Sequence, residues 1–152
     1  MGKINMGRVI LGGVVAGIVA NVLGFLVDGL LLAPQWAEGM KALGRPDFST
    51  NQIIGFNILG LAYGIFTVWL YAAIRPRYGA GPKAAVCAGL AAWVAGLLIP
   101  NIALMGVTGL FPPNLTVMTT VGGIVEWVAG ALAGAALYQE GAGSTQSMSA
   151  RA

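Results

Sequence analysis

The stretch Ile10-Leu11-Gly12-Gly13-Val14-Val15-Ala16-Gly17-Ile18-Val19-Ala20-Asn21-Val22-Leu23-Gly24-Phe25-Leu26-Val27-Asp28-Gly29-Leu30-Leu31-Leu32 decides how the whole chain is read. It shows no alternation of polar and apolar positions, and only Asn21 and Asp28 interrupt its apolar character. A helix rises about 1.5 Å per residue, so a run of this length covers the roughly 30 Å of a bilayer's hydrocarbon core. Backbone groups cannot be left unpaired in lipid, and a run this long without alternation is a helix, not a barrel strand. A cleaved signal peptide is the competing reading, with Lys3 and Arg8 as its basic flank, but the apolar run is too long for one.

Three later stretches, Ile53–Ile74, Ala84–Val107 and Val117–Tyr138, repeat the pattern. Of the 152 residues, 57% are hydrophobic and 9% charged; a soluble domain carries about 25% charged residues. So few charges cannot cover a surface in water, whereas lipid removes the need. The expected fold is all-α, an integral membrane bundle of four transmembrane helices in one domain over residues 1–140. Residues 141–152, small and polar, are expected to form a disordered cytoplasmic tail.

Lysine and arginine placement sets the orientation. With both termini in the cytoplasm, Lys3, Arg8, Arg75, Arg77, Lys83 and Arg151 fall inside, and only Lys41 and Arg45 outside. Arg75–Lys83 then becomes a short cytoplasmic turn. Trp69, Tyr71, Tyr78 and Tyr138 mark the inner boundary, and Trp36, Phe48 and Phe111 the outer. In the first outer loop, Trp36, Met40 and Leu43 recur at helical spacing between Pro34 and Gly44. This predicts a short helix on the outer interface with Glu38, Lys41 and Arg45 in water.

Composition also excludes functions. With no histidine, zinc, copper or haem sites built on it are ruled out, as is a histidine base. Cys87 is the one cysteine, so no intrachain disulfide forms. No cofactor or metal is expected. The net charge of +3 comes from scattered residues without a basic run interleaved with aromatics, so no nucleic-acid partner is expected. There is no Walker loop, nucleophile elbow or paired metal-ligand motif.

The informative residues are polar ones inside the spans, because an acid at mid-helix costs about 2.5–3.5 kcal/mol on insertion scales. Glu126 falls near the middle of the fourth span, and Asp28 near the outer end of the first, with no basic residue inside any span to pair with either. Counted by depth, Asn57 and Asn101 fall in the same outer half, and Asn21 near the middle. Asp28, Asn57, Asn101, Glu126 and Asn21 are therefore the candidate substrate- or ion-binding residues. Gly13, Gly17, Ala20 and Gly24, then Gly60 and Gly64, then Gly122, Gly130 and Gly134 form small-residue ridges that would bring Asp28, Asn57, Asn101 and Glu126 into one central polar layer. Pro100 is expected to kink the third span beside Asn101. The plainer readings are interhelical hydrogen bonds for the asparagines and a surface-reaching side chain for Asp28.

The run Trp69-Leu70-Tyr71-Ala72-Ala73-Ile74-Arg75-Pro76-Arg77-Tyr78-Gly79-Ala80-Gly81-Pro82-Lys83, with the Trp36 loop and Gly123–Trp127, resembles a family of small bacterial membrane proteins that carries no assigned activity. The resemblance implies four helices in a bacterial inner membrane and says nothing about chemistry.

The leading expectation for function is a protein acting through helix–helix contacts, as an accessory, assembly or self-associating subunit. Its partners would be the bilayer and either its own copies or a larger membrane complex. The alternative is a small proton- or cation-linked transporter or channel built on the acid layer. An intramembrane enzyme using Glu126 or Asp28 is a third reading, although no nucleophile accompanies them.

Overall fold

The computed structural model describes residues 3–141, and the expected tail falls, from residue 142, outside them. The chain forms α1 (Met6–Leu31), α2 (Ala33–Ala42), α3 (Thr50–Tyr78), α4 (Pro82–Val107) and α5 (Pro113–Leu137). Among the described residues there is no strand. The four helices other than α2 are long and apolar enough to cross a membrane.

Local chemistry fixes the ends. Asn5 caps α1 by accepting from the Arg8 N–H at 3.2 Å, so the helix starts a turn before the apolar run. Ser49 and Gln52 form a capping box at the start of α3. That helix outlasts its apolar stretch, passing through Pro76 to Tyr78, with Arg75 and Arg77 in its last turn where cations complement the helix dipole. Gly79, at φ 81°, ends it, so the turn expected from Arg75 to Lys83 is confined to Gly79–Gly81. Pro82 and Pro113 sit in the first turns of α4 and α5, where their missing N–H is no loss.

The helix α1 lies between α3 and α5, and α4 closes the ring against the same two. The glycine ridges make this possible, although they split differently from the single face expected. Gly13, Gly17 and Asn21 meet α3, while Gly12, Ala16, Ala20 and Gly24 meet α5. A Cβ on Gly17 would sit 2.7 Å from the Leu61 Cα, and one on Gly130 2.7 Å from the Ala16 carbonyl oxygen. Only hydrogen fits at such contacts, so the backbones approach closely along most of α1.

Two apolar clusters close the bundle's ends. Val9, Val68, Tyr71, Ala84, Ala88 and Tyr138 pack at one end. At the other, Leu32, Met105 and Leu115 pack with Trp36 and Phe111. The amide of Gly141 donates to the Lys3 carbonyl, and Arg75 reaches Glu140 at 3.5 Å. The two chain ends described thus share one end of the bundle with the α3–α4 turn. The predicted short helix is present as α2; its Gly39 and Met40 are buried, and Glu38, Lys41 and Arg45 are exposed. Trp36 makes edge-on contacts with Phe48 at 5.7 Å and Phe111 at 5.2 Å, holding α2 over that end.

Pro100 does not break α4. The helix widens on both sides of it, with π-helical turns at Val94–Leu98 and Ile102–Val107. A third π-helical stretch, Phe25–Leu31, ends α1. All three lie in the half of the molecule nearer α2. The first part of α3 runs alongside with little cover: Phe56 and Leu59 are 56% and 66% exposed.

Candidate functional site

Glu126 lies on the α5 ridge between Gly122 and Gly130, facing α1. Its residue is only 7% exposed, and Oε1 is buried without a hydrogen-bond partner. The surrounding space exists because glycines face it. A Cβ on Gly24 would come within 3.3 Å of Oε2, and one on Gly122 within 3.8 Å of Oε1. Asp28 is one turn along α1 from Gly24, the residue that faces the Glu126 carboxyl group. It sits inside the π-helical Phe25–Leu31 stretch, a geometry that recurs at functional sites. Its Oδ1 accepts a hydrogen bond from the Trp36 Nε1–H at 3.1 Å, which ties α2 to the acid pair.

The three asparagines are placed differently. Asn101 donates from Nδ2 to Thr120 Oγ1 at 2.9 Å, and the Thr120 hydroxyl donates to the Thr116 carbonyl at 2.6 Å. Trp93 adds a bond from Nε1–H to the Thr120 carbonyl at 2.7 Å, so α4 and α5 are joined by a short polar chain. Thr120 is six residues from Glu126, roughly 9 Å along the axis. Asn21 donates to the Asn57 backbone carbonyl at 2.9 Å, joining α1 to α3. The Asn57 side chain is exposed and donates back to the Ile53 carbonyl of its own helix at 2.8 Å. The structure thus sets Asp28 one turn beyond Gly24, the α1 residue that faces Glu126, while the asparagines form two separate interhelical bonds.

Several contributors carry no sequence signal strong enough to single them out. Thr120 and Thr116 look like ordinary membrane-helix threonines. Tyr63 donates its hydroxyl to the Ala92 carbonyl at 2.8 Å and fills the space left by Gly96. It packs edge-on against Trp127 at 4.7 Å. Trp127 is buried, and its indole N–H also lacks a partner.

An apolar groove of about 350 Å³ runs beside the pair, lined by Val27, Leu31, Leu32, Val117, Met118, Val121 and Gly122. No ion pair compensates the acids, since the one salt bridge among the described residues is Arg75–Glu140 at the opposite end. Nor do three or more acidic, thiol or imidazole groups gather there. A buried carboxylate with no counter-charge is held as the neutral acid or against a cation. Two carboxyl groups alone suit a proton or one monovalent cation. No family model, curated protein or solved structure matches the chain.

Proposed function

We propose that this chain is a multi-pass protein of a bacterial inner membrane, with both termini cytoplasmic and α2 on the outer interface. The Asp28–Glu126 pair binds and releases a proton or monovalent cation in support of transport. The observation that carries this reading is the buried, unpartnered Oε1 of Glu126, set in a space made by Gly24 and Gly122, with Asp28 one turn beyond Gly24. Holding such a group in the centre of a bundle lowers stability, and packing alone gives no reason for it. Large apolar side chains facing outward, such as Leu59 and Val125 at 66% and 61% exposed, support lipid as the surrounding medium. The resemblance of Trp69–Lys83 to small bacterial membrane proteins supports the compartment.

Purified protein in liposomes tests the reading through flux driven by a pH gradient or a membrane potential. The wild type should accelerate flux above the empty-liposome leak, and Glu126→Gln should return it to that leak. Flux indifferent to gradient, potential and Glu126→Gln rejects it. A second reading, a subunit acting through helix contacts, is favoured by the uncovered first half of α3. There Gly55 has open space around it and Asn57 is exposed. In that case the chain co-purifies with itself or a partner through α3, and Glu126→Gln leaves function intact.

A further inference from the structure

We propose that the groove between the π-helical end of α1 and the start of α5 binds a lipophilic monocation, with Glu126 as its counter-ion. This names a substrate class for the transport reading above and rests on it. The groove's volume, about 350 Å³, is at the lower end of the range for small-molecule sites. All its lining side chains are apolar, and Val117 and Val121 on its rim are 59% and 57% exposed, so it opens sideways from the bundle. A ligand would enter from the surrounding lipid.

The wall behind the groove is where Val27 meets Gly122. A Cβ on Gly122 would lie 2.8 Å from Val27 Cγ1 and 3.8 Å from Glu126 Oε1. The unpartnered oxygen is thus separated from the groove by one valine methyl group and a glycine. The wall is therefore a single side chain thick, on the stretch of α1 that is π-helical.

The chemistry selects among cations. A small hydrated ion would shed its water in a groove whose walls offer no polar side chain to replace it, at a large desolvation cost. A cation whose charge is spread among apolar substituents holds little water and matches both parts of the site. Its apolar groups bury against Val27, Leu31, Val117, Met118 and Val121, and its charge faces Glu126. An uncharged amphiphile would fill the groove equally well but would gain nothing from the carboxylate, which is the basis for discrimination.

The test is equilibrium binding of tetraphenylphosphonium to the full chain in detergent micelles, with triphenylphosphine oxide as the neutral comparison. Saturable one-site binding of the cation is expected. Glu126→Gln should weaken it about tenfold or more, and leave the neutral compound unaffected. Val121→Trp, at an exposed rim position, should weaken both by covering the groove, and it decides the matter if Glu126→Gln does not fold. Non-saturable uptake, equal binding by wild type and Glu126→Gln, or indifference to Val121→Trp overturns the proposal. Gradient-driven flux with no tetraphenylphosphonium binding overturns the substrate class and leaves the transport reading standing. Saturable, Glu126-dependent binding without flux supports the site and removes the transport reading.

Discussion

Replacing Gly64 by alanine tests whether close backbone approach organises the bundle. A Cβ there would lie 2.7 Å from the Gly17 Cα and closer still to the Gly13 carbonyl oxygen, both on α1. Ordinary carbon contacts are about 3.5–4.0 Å, so α1 and α3 must separate by roughly 1 Å. Overpacking of this kind destabilises by about 1–3 kcal/mol. The same shift stretches the 2.9 Å Asn21–Asn57 bond beyond hydrogen-bonding range, removing on the order of 0.6 kcal/mol. Alanine's better helix propensity returns up to about 1 kcal/mol, leaving a net loss of roughly 1–3 kcal/mol. Gly55→Ala is the control, because it lies on the same helix with nothing within 4 Å of its Cβ position. Reversible unfolding of the protein in bicelles should show Gly64→Ala clearly destabilised and Gly55→Ala unchanged or slightly stabilised. Equal stability of the two variants refutes the packing argument.

Other outcomes follow from single contacts. Asn101→Val and Thr120→Val should each weaken α4–α5 association, and a double-mutant cycle should give a coupling of about 0.6 kcal/mol, no more than about 1.7. Trp36→Phe keeps the ring between Phe48 and Phe111 but removes the donor to Asp28. Amide exchange across Ala33–Ala42 should then rise by about tenfold, read by mass spectrometry. Arg75 lies 5.7 Å from the Tyr71 ring centre and 5.2 Å from that of Tyr138. Arg75→Ala should loosen the segment after α5, raising exchange at Tyr138–Glu140, while Arg75→Lys retains part of the protection.

Length and apolar character made the four long helices legible, because the hydrocarbon thickness imposes a segment length that few other structures require. The ends were less so: α3 runs on to Tyr78 because capping and charge extend a helix beyond its apolar stretch. Ridge spacing showed which glycines pack, but not that α1 would divide its glycines between two partners, since that depends on how the helices cross. Depth arithmetic placed Asn57 in the same outer half as Asp28, yet depth says nothing of direction around the axis. Its side chain bonds to its own helix. The π-helical turns had no signal beyond Pro100, because they arise where tertiary packing widens a helix. The Phe25–Leu31 turn that carries Asp28 contains no proline at all.

If the chain crosses a bilayer four times, Asp28 and Glu126 lie between two aqueous compartments. Single cysteines placed in a Cys87→Ser background at Asp47, Ala80, Leu110 and Gln139, and labelled with an impermeant maleimide in intact cells and inverted vesicles, test it directly. Asp47 and Leu110 should be labelled only from outside, and Ala80 and Gln139 only from inside. Labelling of Ala80 and Gln139 from opposite sides, or of all four from one side, would contradict it.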